Sequence, residues 1–421
     1  MKIGLFTEIY DCGGVDTFIV NLINHWPYQD DTFVLIANAN YPGLDIVEQN
    51  VARPCEIIRH TVPTYRNVMT DESRNRSLDQ LRKLVSPLFR YLVMAFNVLE
   101  FRKLFRQTDP DRMMIINGGY PGGESCRAAS IAWGLLRGKP LGIHNFHNLV
   151  EPSPWHVRVQ DYLVDVVVAR FTAFFVTVSR AAAESMALRP VIFSKKTTTY
   201  IHNGLNVMPV QPVTEVNIRE EIGISPLTPL CLMLATYEPR KGHHFLFQAF
   251  RKVLAEVPDA HLLICGFGFP HEIKLVRRYV SDFQLEKSVH LMDFRKDLSH
   301  LLDHADVLVV ASQEYESFGF TSVEAMAHHV PVVATNIGGI PEVVADGEGG
   351  YCVDSRDPEE FARRIIRLLQ DENLRTEQAE RGYQRFRNCF TAERMSGRYA
   401  DMIHRMEAPG NDRHGAEREN A

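Results

Sequence analysis

Two carboxylates, Glu316 and Glu324, bracket a short turn of glycine, serine, threonine and phenylalanine, and further apolar runs and a second glycine turn follow them. This order of apolar runs and glycine turns predicts strand, glycine loop, helix, strand, glycine loop and helix. A loop that opens a helix presents unpaired N–H groups, and the helix dipole favours negative charge there. The two carboxylates would repel an anion, so they are better suited to bind hydroxyl groups. We therefore expect one pocket for phosphate and polyol together, as in a nucleotide sugar.

The ordered run from Ala311 to Tyr351 carries the E-x7-E spacing and then the loop Gly338-Gly339-Ile340-Pro341-Glu342. It resembles the signature of retaining, nucleotide-sugar-dependent glycosyltransferases of the GT-B fold, specifically glycosyltransferase family 4 (glycosyl transferases group 1). The resemblance is strongest in the C-terminal half and weakest between Asn38 and Arg112. It implies an α/β protein with two Rossmann-like, doubly wound domains that face a central cleft.

The composition is that of an ordinary globular protein of about two domains: 421 residues, 45% hydrophobic and 23% charged, with a net charge of -6. The negative net charge argues against nucleic acid as a partner. The seven cysteines are scattered without CxxC spacing, so we expect reduced thiols rather than metal ligands or disulfides. The sequence predicts no signal peptide and no membrane-spanning helix.

The chain opens with a strand over 3–7, a glycine loop over 12–17 and a helix over 18–26, a pattern that predicts a parallel α/β sheet. Further strands are predicted over 32–37, 113–116, 141–144, 174–178, 198–201, 230–235, 261–265, 289–292, 307–310 and 332–334. Helices are predicted over 358–370, 373–386 and 392–406.

This pattern predicts an N-terminal, acceptor-side domain over 1–206 and a nucleotide-sugar-binding domain over 207–386, with a linker at 207–213. A C-terminal helix within 387–408 is expected to pack back toward the first domain. The polar segment 409–421 is expected to be a disordered tail.

Arg240 and Lys241 follow a predicted strand and precede a helix. Cations at this point could stabilise the charge that builds on the leaving diphosphate, although a solvated basic loop is an equally good interpretation. Lys241-Gly242 matches a pair that the family carries. The family also carries an arginine where this chain has Ala235 or Thr236, which leaves open whether Arg240 takes its place.

The resemblance gives the two carboxylates separate roles. Glu324, in a helix that Thr321 or Ser322 would cap, binds the ribose hydroxyls, and Glu316 lies near the transferred sugar. The diphosphate is held by backbone N–H groups of the loop that opens this helix, at Phe318, Gly319, Phe320 and Thr321. The alternative is two exposed acids that the helix dipole favours.

Two further positions are assigned to the donor. Gly266, in a Gly-x-Gly turn after a strand, matches a glycine loop beside the donor, although such a turn is a weak signal alone. Phe294 ends another strand and could contact the base, but a core aromatic is at least as good an interpretation.

In the N-terminal half, the resemblance implies that the Gly13-Gly14 loop lets the donor diphosphate and the acceptor approach the backbone. Asp16 occupies a position where the family often has an acid, although helix capping alone would explain it. Two imidazoles, His144 and His147, end a strand and could contact the donor sugar or the acceptor. His147 matches the family's histidine better, and zinc is a weaker alternative because no suitably spaced cysteine or acid accompanies the pair.

The glycine-rich loop before Glu124 is expected to line the acceptor side, where Glu124 could contact hydroxyls, although a plain flexible loop is an equally good interpretation. The segment Pro87–Arg106 is basic and rich in aromatic residues. Such a helix can lie on an anionic membrane, but we favour a core-facing helix with a solvated basic edge.

These features predict a cytoplasmic glycosyltransferase, with a peripheral position at the inner face of the membrane as an alternative. It would transfer a sugar from a UDP- or GDP-linked donor to a saccharide or glycolipid hydroxyl, with an α-linkage and with neither metal nor cofactor. Two alternatives stay open: a nucleotide-sugar epimerase or hydrolase of the same fold, and a catalytically silent nucleotide-binding subunit.

Overall fold

The computed structural model describes residues 1–10, 13–64, 76–189, 197–206 and 217–406, without the side chains of residues 76–89 and of His156. Cys12, the predicted linker at 207–213 and the predicted tail at 409–421 lie outside the described residues. The chain divides into two compact units, residues 1–202 with the C-terminal helix from Ala392, and residues 203–391. These divisions fall a few residues from the predicted domain boundaries.

The first unit is built on a seven-stranded, all-parallel sheet. Its strands are β1 (Lys2–Thr7), β2 (Thr32–Asn38), β3 (Cys55–His60), β4 (Arg112–Asn117), β5 (Gly142–Phe146), β6 (Thr172–Thr177) and β7 (Thr198–Tyr200), in the order β3-β2-β1-β4-β5-β6-β7. The helices of this part are α1 (Gly14–Asn24), α2 (Leu44–Asn50), α3 (Arg76–Thr108), α4 (Glu124–Gly134), α5 (Arg158–Arg170) and α6 (Arg180–Glu184).

The second unit contains a six-stranded, all-parallel sheet. Its strands are β8 (Leu230–Leu234), β9 (His261–Gly266), β10 (Val289–Asp293), β11 (Val307–Val310), β12 (Val332–Thr335) and β13 (Gly350–Val353), in the order β10-β9-β8-β11-β12-β13. Its helices are α7 (Ile218–Glu221), α8 (His243–Glu256), α9 (Pro270–Asp282), α10 (Leu298–Asp303), α11 (Phe320–Ala327), α12 (Ile340–Val343), α13 (Pro358–Gln370) and α14 (Glu372–Cys389).

Helix α15 (Ala392–His404) belongs to the first unit, although it follows the second in sequence. The Tyr399 ring packs edge-on against Phe18 at 5.5 Å between centroids, and Asn145 Nδ2 donates a hydrogen bond to the Tyr399 hydroxyl at 2.8 Å. The last helix therefore joins α1 on one face of the first sheet.

Helices cover both faces of the first sheet. Side chains of α1 and α15 share a core with Leu5 and Leu35, whereas side chains of α3, α4 and α5 share a core with Phe6 and Val34. Strands that are covered on both faces must be apolar at nearly every position, which explains runs such as Thr32–Asn38. Two strands that the sequence analysis missed, β3 and β13, are sheet edges whose sequences are less uniformly apolar.

Each sheet reverses its strand order once. The reversal lies between β1 and β4 in the first unit and between β8 and β11 in the second. The loops that leave the carboxyl ends of these strand pairs run in opposite directions, and ligands of open parallel sheets bind in the crevice between them. The fold therefore points to the loops after β8 and β11, and after β1 and β4, as candidate sites.

Candidate active site

The loops after β8 and β11 are in direct contact. A 3-10 turn, Pro239–Lys241, follows β8, and Gly242 caps α8 in the left-handed conformation at φ 76°. A Cβ atom on Gly242 would lie 1.9 Å from the carbonyl oxygen of Ala311, and the Gln313 N–H donates to the Arg240 carbonyl at 2.8 Å. Only glycine allows this approach, which explains why Gly242 follows Lys241.

The contact joins Lys241 to Glu316. Lys241 Nζ donates to Glu316 Oε2 at 2.5 Å, and the Ser312 hydroxyl lies 3.3 Å from the same oxygen. Both charged side chains keep a small exposed fraction, 16% for lysine and 15% for glutamate. The pair is therefore partly desolvated but still open to a ligand.

The second glycine turn positions the backbone of Glu316. The Gly339 N–H donates to the Glu316 carbonyl at 2.8 Å. Gly338 has φ 56°, and a Cβ atom there would lie 2.1 Å from the same carbonyl oxygen. The Gly-Gly-x-Pro-Glu motif thus acts here through close backbone packing against the loop of Glu316.

Arg240 is not the cation that pairs with Glu316, although the sequence made it a candidate for the phosphate site. Its Nε donates to Glu238 Oε2 at 2.5 Å, and its guanidinium lies 4.9 Å from the centre of the Tyr315 ring. Burial opposes the charge of Arg240, but the hydrogen bond that it donates to Glu238, together with the nearby negative charges, raises the pKa of the guanidinium. Thr236, one of the two positions where the resemblance implies an arginine, donates its hydroxyl to Glu238 at 3.0 Å. Lys241, rather than Arg240, is therefore the cation at Glu316.

Helix α11 begins at Phe320, and the prediction that Thr321 or Ser322 caps it is wrong. Gly319 is the N-cap at φ 90°, with no side-chain cap, and Thr321 lies inside the first turn. The opening N–H groups of a helix have no partner within it, so this end can hold an anion. Phe318 is only 2% exposed and packs edge-on against Phe320 at 5.5 Å, so its side chain cannot reach a ligand.

Glu324 stands one helical turn further on. Among the described residues, its carboxylate has neither a hydrogen-bond nor an ion-pair partner. Burial raises its pKa from the ordinary range to about 7. A half-buried carboxylate without a partner destabilises the empty protein and is ready to accept hydrogen bonds from hydroxyl groups.

The ends of β9 and β10 carry exposed aromatic rings. Asp293 pairs with Gly266 in the parallel register, which places Phe294 beside the glycine turn. Phe294 is 61% exposed and Phe267 is 60% exposed, so the alternative of a core aromatic at Phe294 is wrong. A Cβ atom on Gly266 would lie 1.8 Å from the Ala235 carbonyl, which explains the glycine by packing alone.

In the first unit, Asp16 is a capping residue and not an acceptor contact. Its Oδ2 accepts the Gly13 N–H at 2.9 Å, and its Oδ1 accepts the Tyr41 hydroxyl. The side chain is buried, so it has no surface to offer a ligand. Gly13 caps α1, and Gly13 and Gly14 are both exposed.

The two histidines of β5 and the loop after it differ in their surroundings. His144 lies inside the strand with no exposed surface, and its Nδ1 is 2.8 Å from the Ser130 hydroxyl, so the expected acceptor contact at His144 is wrong. His147 follows the strand, and its ring packs against Phe18 at 4.4 Å. Both ring nitrogens of His147 are buried without a partner among the described residues. Burial lowers the pKa of each imidazole to about 3, so both are neutral.

Glu124 belongs to an ion network at the start of α4. It pairs with Arg90 and lies 3.7 Å from Arg127, while its Oε2 has no partner among the described residues. Glu8 was not among the residues that the sequence pointed to. It directly follows β1, so it lies at the strand reversal of the first sheet, next to the loop of Glu124. Glu8 is 3% exposed, burial raises its pKa, and its Oε2 also has no partner in the described part of the chain. Its place after the first strand was the signal that could have identified it.

The sequence and the fold can be compared with known proteins. Residues 215–385 match the family described as Glycosyl transferases group 1. The chain is 32% identical over 187 residues to N-acetyl-alpha-D-glucosaminyl L-malate synthase of Bacillus anthracis, covering 44% of this chain and 48% of that protein. It is 31% identical over 206 residues to D-inositol 3-phosphate glycosyltransferase of Corynebacterium glutamicum (strain R), covering 47% and 49%. The match thus spans about half the length of these relatives.

Solved structures resemble the chain over nearly its whole length. Anabaena Alr3699/HepE in complex with UDP has a TM-score of 0.73 at 21% identity and covers 96% of this chain and 100% of that one. A glycosyltransferase from Rickettsia africae ESF-5 has a TM-score of 0.76 at 18% identity, with coverage of 96% and 98%. The protein therefore has the GT-B fold of two Rossmann-like domains, as the sequence predicted.

The described residues include neither a membrane-spanning helix nor a cluster of metal ligands. None of their helices is both long and apolar enough to cross a bilayer. They also contain no group of three or more histidine, cysteine, aspartate or glutamate side chains that could hold a metal ion.

Proposed function

We propose that this protein is a retaining glycosyltransferase that transfers a sugar from a nucleoside diphosphate donor to a hydroxyl group, giving an α-linkage. The observation that carries the proposal is the Lys241–Glu316 pair at the strand reversal of the second sheet, followed by the unpartnered carboxylate of Glu324. The match of residues 215–385 to the family described as Glycosyl transferases group 1 and the similarity to proteins named as glycosyltransferases support it.

The donor is held by positively charged groups at its diphosphate and by a carboxylate at its ribose. The N-terminus of α11 and the ammonium of Lys241 bind the diphosphate, while the carboxylate of Glu324 accepts hydrogen bonds from the ribose hydroxyls. The exposed ring of Phe294 contacts the base. UDP is the first donor nucleotide to test, because Anabaena Alr3699/HepE has a similar fold and was crystallised with UDP, and GDP is the second.

In the reaction, the bond between the anomeric carbon and the diphosphate oxygen breaks, and a bond from that carbon to the acceptor oxygen forms. Negative charge builds on the leaving phosphate, where Lys241 stabilises it electrostatically. The acceptor proton passes to the leaving phosphate, so no side chain has to act as general base. His147 is neutral, and its two ring nitrogens are buried, so a hydrogen bond with a hydroxyl of the sugar or the acceptor requires the ring to move. Neither a metal nor a cofactor is needed, because the lysine and the helix N-terminus supply the positive charge.

The acceptor is a saccharide or a lipid-linked saccharide, and the reaction takes place in the cytoplasm or at the inner face of the membrane. Glu124, at the strand reversal of the first sheet, is the candidate for binding acceptor hydroxyls. A nucleotide-sugar epimerase or hydrolase would use the donor half alone, and a silent subunit would bind nucleotide without turnover. The missing arginine of the family, where this chain has Ala235 or Thr236, keeps the silent subunit under test.

The decisive experiment combines thermal unfolding with turnover. The purified chain is unfolded with UDP, GDP and ADP, each free and as sugar conjugates. A ligand that binds only the folded state at 100 times its Kd adds about 2.7 kcal/mol of stability. Stabilisation by one base, together with slow donor hydrolysis that a saccharide acceptor accelerates, supports the proposal.

The alternatives have distinct signatures in the same experiment. Hydrolysis or epimerisation that no acceptor accelerates identifies the epimerase or hydrolase. Binding without any turnover identifies the silent subunit, and no stabilisation by any nucleotide overturns the proposal.

A further inference from the structure

Helices α3, α4 and α5 pack on the same face of the first sheet, where their inner side chains share one core. Helix α4 lies in the middle of this layer and is buried along nearly its whole length. Arg90 of α3 lies 3.6 Å from Asp161 of α5, and both approach the start of α4. Helices α3 and α5 are therefore neighbours across the end of α4, and their outer faces lie on the same side of the layer.

The outer face of α5 is apolar. Val159 is 74% exposed and Leu163 is 60% exposed, and Trp155, just before the helix, is 88% exposed. Tyr162, Val166 and Val167 are also exposed. A helix on the surface of a globular protein normally places polar residues on this face. Scattered apolar side chains need no explanation, but a continuous row along one helix marks an interaction surface.

Helix α3 repeats the pattern. Leu92 and Leu99 are 60% and 63% exposed, and Phe96 between them is 48% exposed. The spacing of four and three residues places the three side chains on one stripe of the helix. The sequence analysis favoured a core-facing helix over Pro87–Arg106. Phe101 and Phe105 do face the core, but this second apolar stripe faces outward.

Cations stand at the ends of both stripes. Lys103 and Arg106 continue the stripe of α3, and Arg158 and Arg170 stand at the two ends of α5, all four exposed. The two acids of α5, by contrast, are buried: Asp161 Oδ2 lies 3.1 Å and Asp165 Oδ2 lies 3.0 Å from Arg189 nitrogens. The exposed part of α5 is therefore apolar and positively charged, without an exposed acid.

We propose that the outer faces of α3 and α5 form a docking surface for an anionic lipid bilayer, which we call the α3/α5 surface. Its members are Leu92, Phe96, Leu99, Lys103, Arg106, Trp155, Arg158, Val159, Tyr162, Leu163, Val166 and Arg170. The apolar side chains enter the boundary between headgroups and acyl chains, and the cations bind lipid phosphates. Tryptophan and tyrosine suit this boundary because each combines an apolar ring with a polar group.

The charges favour a bilayer over a second copy of the chain. Two copies that met through this face would bring the cations of both into one interface, and α5 exposes no acid to pair with them. An anionic bilayer neutralises the same cations. The proposal does not depend on the glycosyl transfer, because lipid binding can be measured without any donor.

The test is co-sedimentation of the full chain with two kinds of vesicle. One consists of phosphatidylcholine alone, and the other also contains about 30% of the anionic lipid phosphatidylglycerol, which makes the surface negative. The expected result is binding to the anionic vesicles at least about tenfold tighter than to the neutral ones, weakened by salt. The double change Leu99→Glu and Leu163→Glu is expected to reduce binding at least about tenfold. Changing Arg158 and Arg170 to Gln is expected to weaken it about fivefold for each charge.

Two controls separate the surface from general effects. Ile46→Glu alters an exposed apolar residue of α2, which packs on the other face of the same sheet, and it should leave lipid binding unchanged. Thermal unfolding of each variant shows whether it folds, and the altered side chains are exposed, so we expect no large loss. Equal binding to neutral and anionic vesicles, or no binding, would overturn the proposal. A dimer in sedimentation velocity that Leu163→Glu dissociates would instead identify the surface as a contact between copies.

Discussion

Lys241 Nζ and Glu316 Oε2 form a direct ion pair at 2.5 Å, although 74 residues separate the two in sequence. The pair exists because β8 and β11 are neighbours at the strand reversal of the second sheet, and each side chain stands in the loop after its strand. A ligand phosphate at this point would compete with the carboxylate for the ammonium. The pair therefore holds the lysine in place in the empty site, where the proposed function has the donor phosphate bind.

The first prediction concerns this pair. Lys241→Met should lower the rate of sugar transfer or donor hydrolysis about 10²–10³-fold, because it removes the cation that stabilises the leaving phosphate. It should also cost about 1–3 kcal/mol of unfolding free energy, since Glu316 loses its partner in a partly buried position. Denaturant unfolding and donor turnover measure the two effects.

A matched control and a double variant sharpen this test. Lys252 forms an ion pair with Glu359 in the same unit, with exposed fractions of 41% and 63%, so Lys252→Met should cost less than about 1 kcal/mol and no activity. Adding Glu316→Gln to Lys241→Met should recover part of the lost stability. Additive losses in stability would mean that the two side chains do not interact in solution.

The second prediction concerns Gly338, which packs against the carbonyl of Glu316. Gly338→Ala and Gly347→Ala both place a Cβ atom on a left-handed residue, at φ 56° and 79°, which costs about 1–2 kcal/mol in each case. Only at Gly338 would the new atom also lie 2.1 Å from the Glu316 carbonyl oxygen, whereas nothing lies within 4 Å at Gly347. Gly338→Ala should therefore lose at least about tenfold in activity, because a shift of about 1 Å in a reacting group is costly. Equal activity of the two folded variants would contradict the positioning role of the turn.

The third prediction uses the pKa of Glu324, which burial raises to about 7. Between the ordinary value near 4.5 and pH 7, the folded chain binds this proton more tightly than the unfolded chain does. The contribution of Glu324 to stability is therefore lost as the pH rises through this window. Glu324→Gln should be about 1–3 kcal/mol more stable than the natural chain at pH 8 and equally stable near pH 4.5. Glu314→Gln, at an exposed loop position, is the control for the loss of one charge.

Nucleotide affinity should depend on pH in the opposite direction to the stability contribution of Glu324. If the ionised carboxylate of Glu324 binds the ribose, UDP or GDP affinity increases from pH 6 to pH 8 in the natural chain, and Glu324→Gln removes the part of that dependence that belongs to this group. Calorimetric titration at both pH values measures it. Unchanged nucleotide affinity in the variant would show that the ribose assignment is wrong.

The fourth prediction separates the two histidines. His147→Leu removes a ring whose nitrogens have no partner among the described residues, so the unfolding free energy should change by less than about 1 kcal/mol while activity falls at least about tenfold. His144→Leu leaves the Ser130 hydroxyl without its partner and should cost about 1–3 kcal/mol, with normal activity in the folded fraction. A loss of activity in His144→Leu and a loss of stability in His147→Leu would show that the two assignments must be exchanged. Because burial lowers the pKa of His147 to about 3, its titration should not contribute to the activity profile between pH 5 and 8.

Local patterns were enough for most of the fold. The predicted helix at 358–370 and the predicted strand at 307–310 agree with the structure at both ends. These segments have a clear apolar period or a fully apolar run, and capping residues or turns mark their limits. Strands β3 and β13 escaped prediction because an edge strand needs fewer apolar residues than a central one, so its sequence carries a weaker signal.

The candidate site was only partly predictable for a different reason. Motif spacing pointed to Glu316, Glu324 and Lys241, but it could not show that Lys241, and not Arg240, contacts Glu316. In the sequence, Asp16 and His144 could not be told apart from the remaining candidates, His147 and Glu124. All four are polar residues near strand ends or glycine loops. Successive side chains along a strand point to opposite faces, so a shift of one residue moves a side chain from the core to the surface. Only the strand register determines which of the two applies.

The sequence alone determined the two parallel-sheet domains, the order of nearly all their elements and the positions of the loops that form the candidate site, because periodicity and glycine turns are local properties. The tertiary structure decided which loops meet. The strand reversals bring Lys241 to Glu316 and Glu8 to the loop of Glu124. The pairing of β11 with β12 brings Gly338 to the Glu316 backbone. It also decided that α3 and α5 keep an apolar face uncovered, since a helical stripe in the sequence does not say what packs against it.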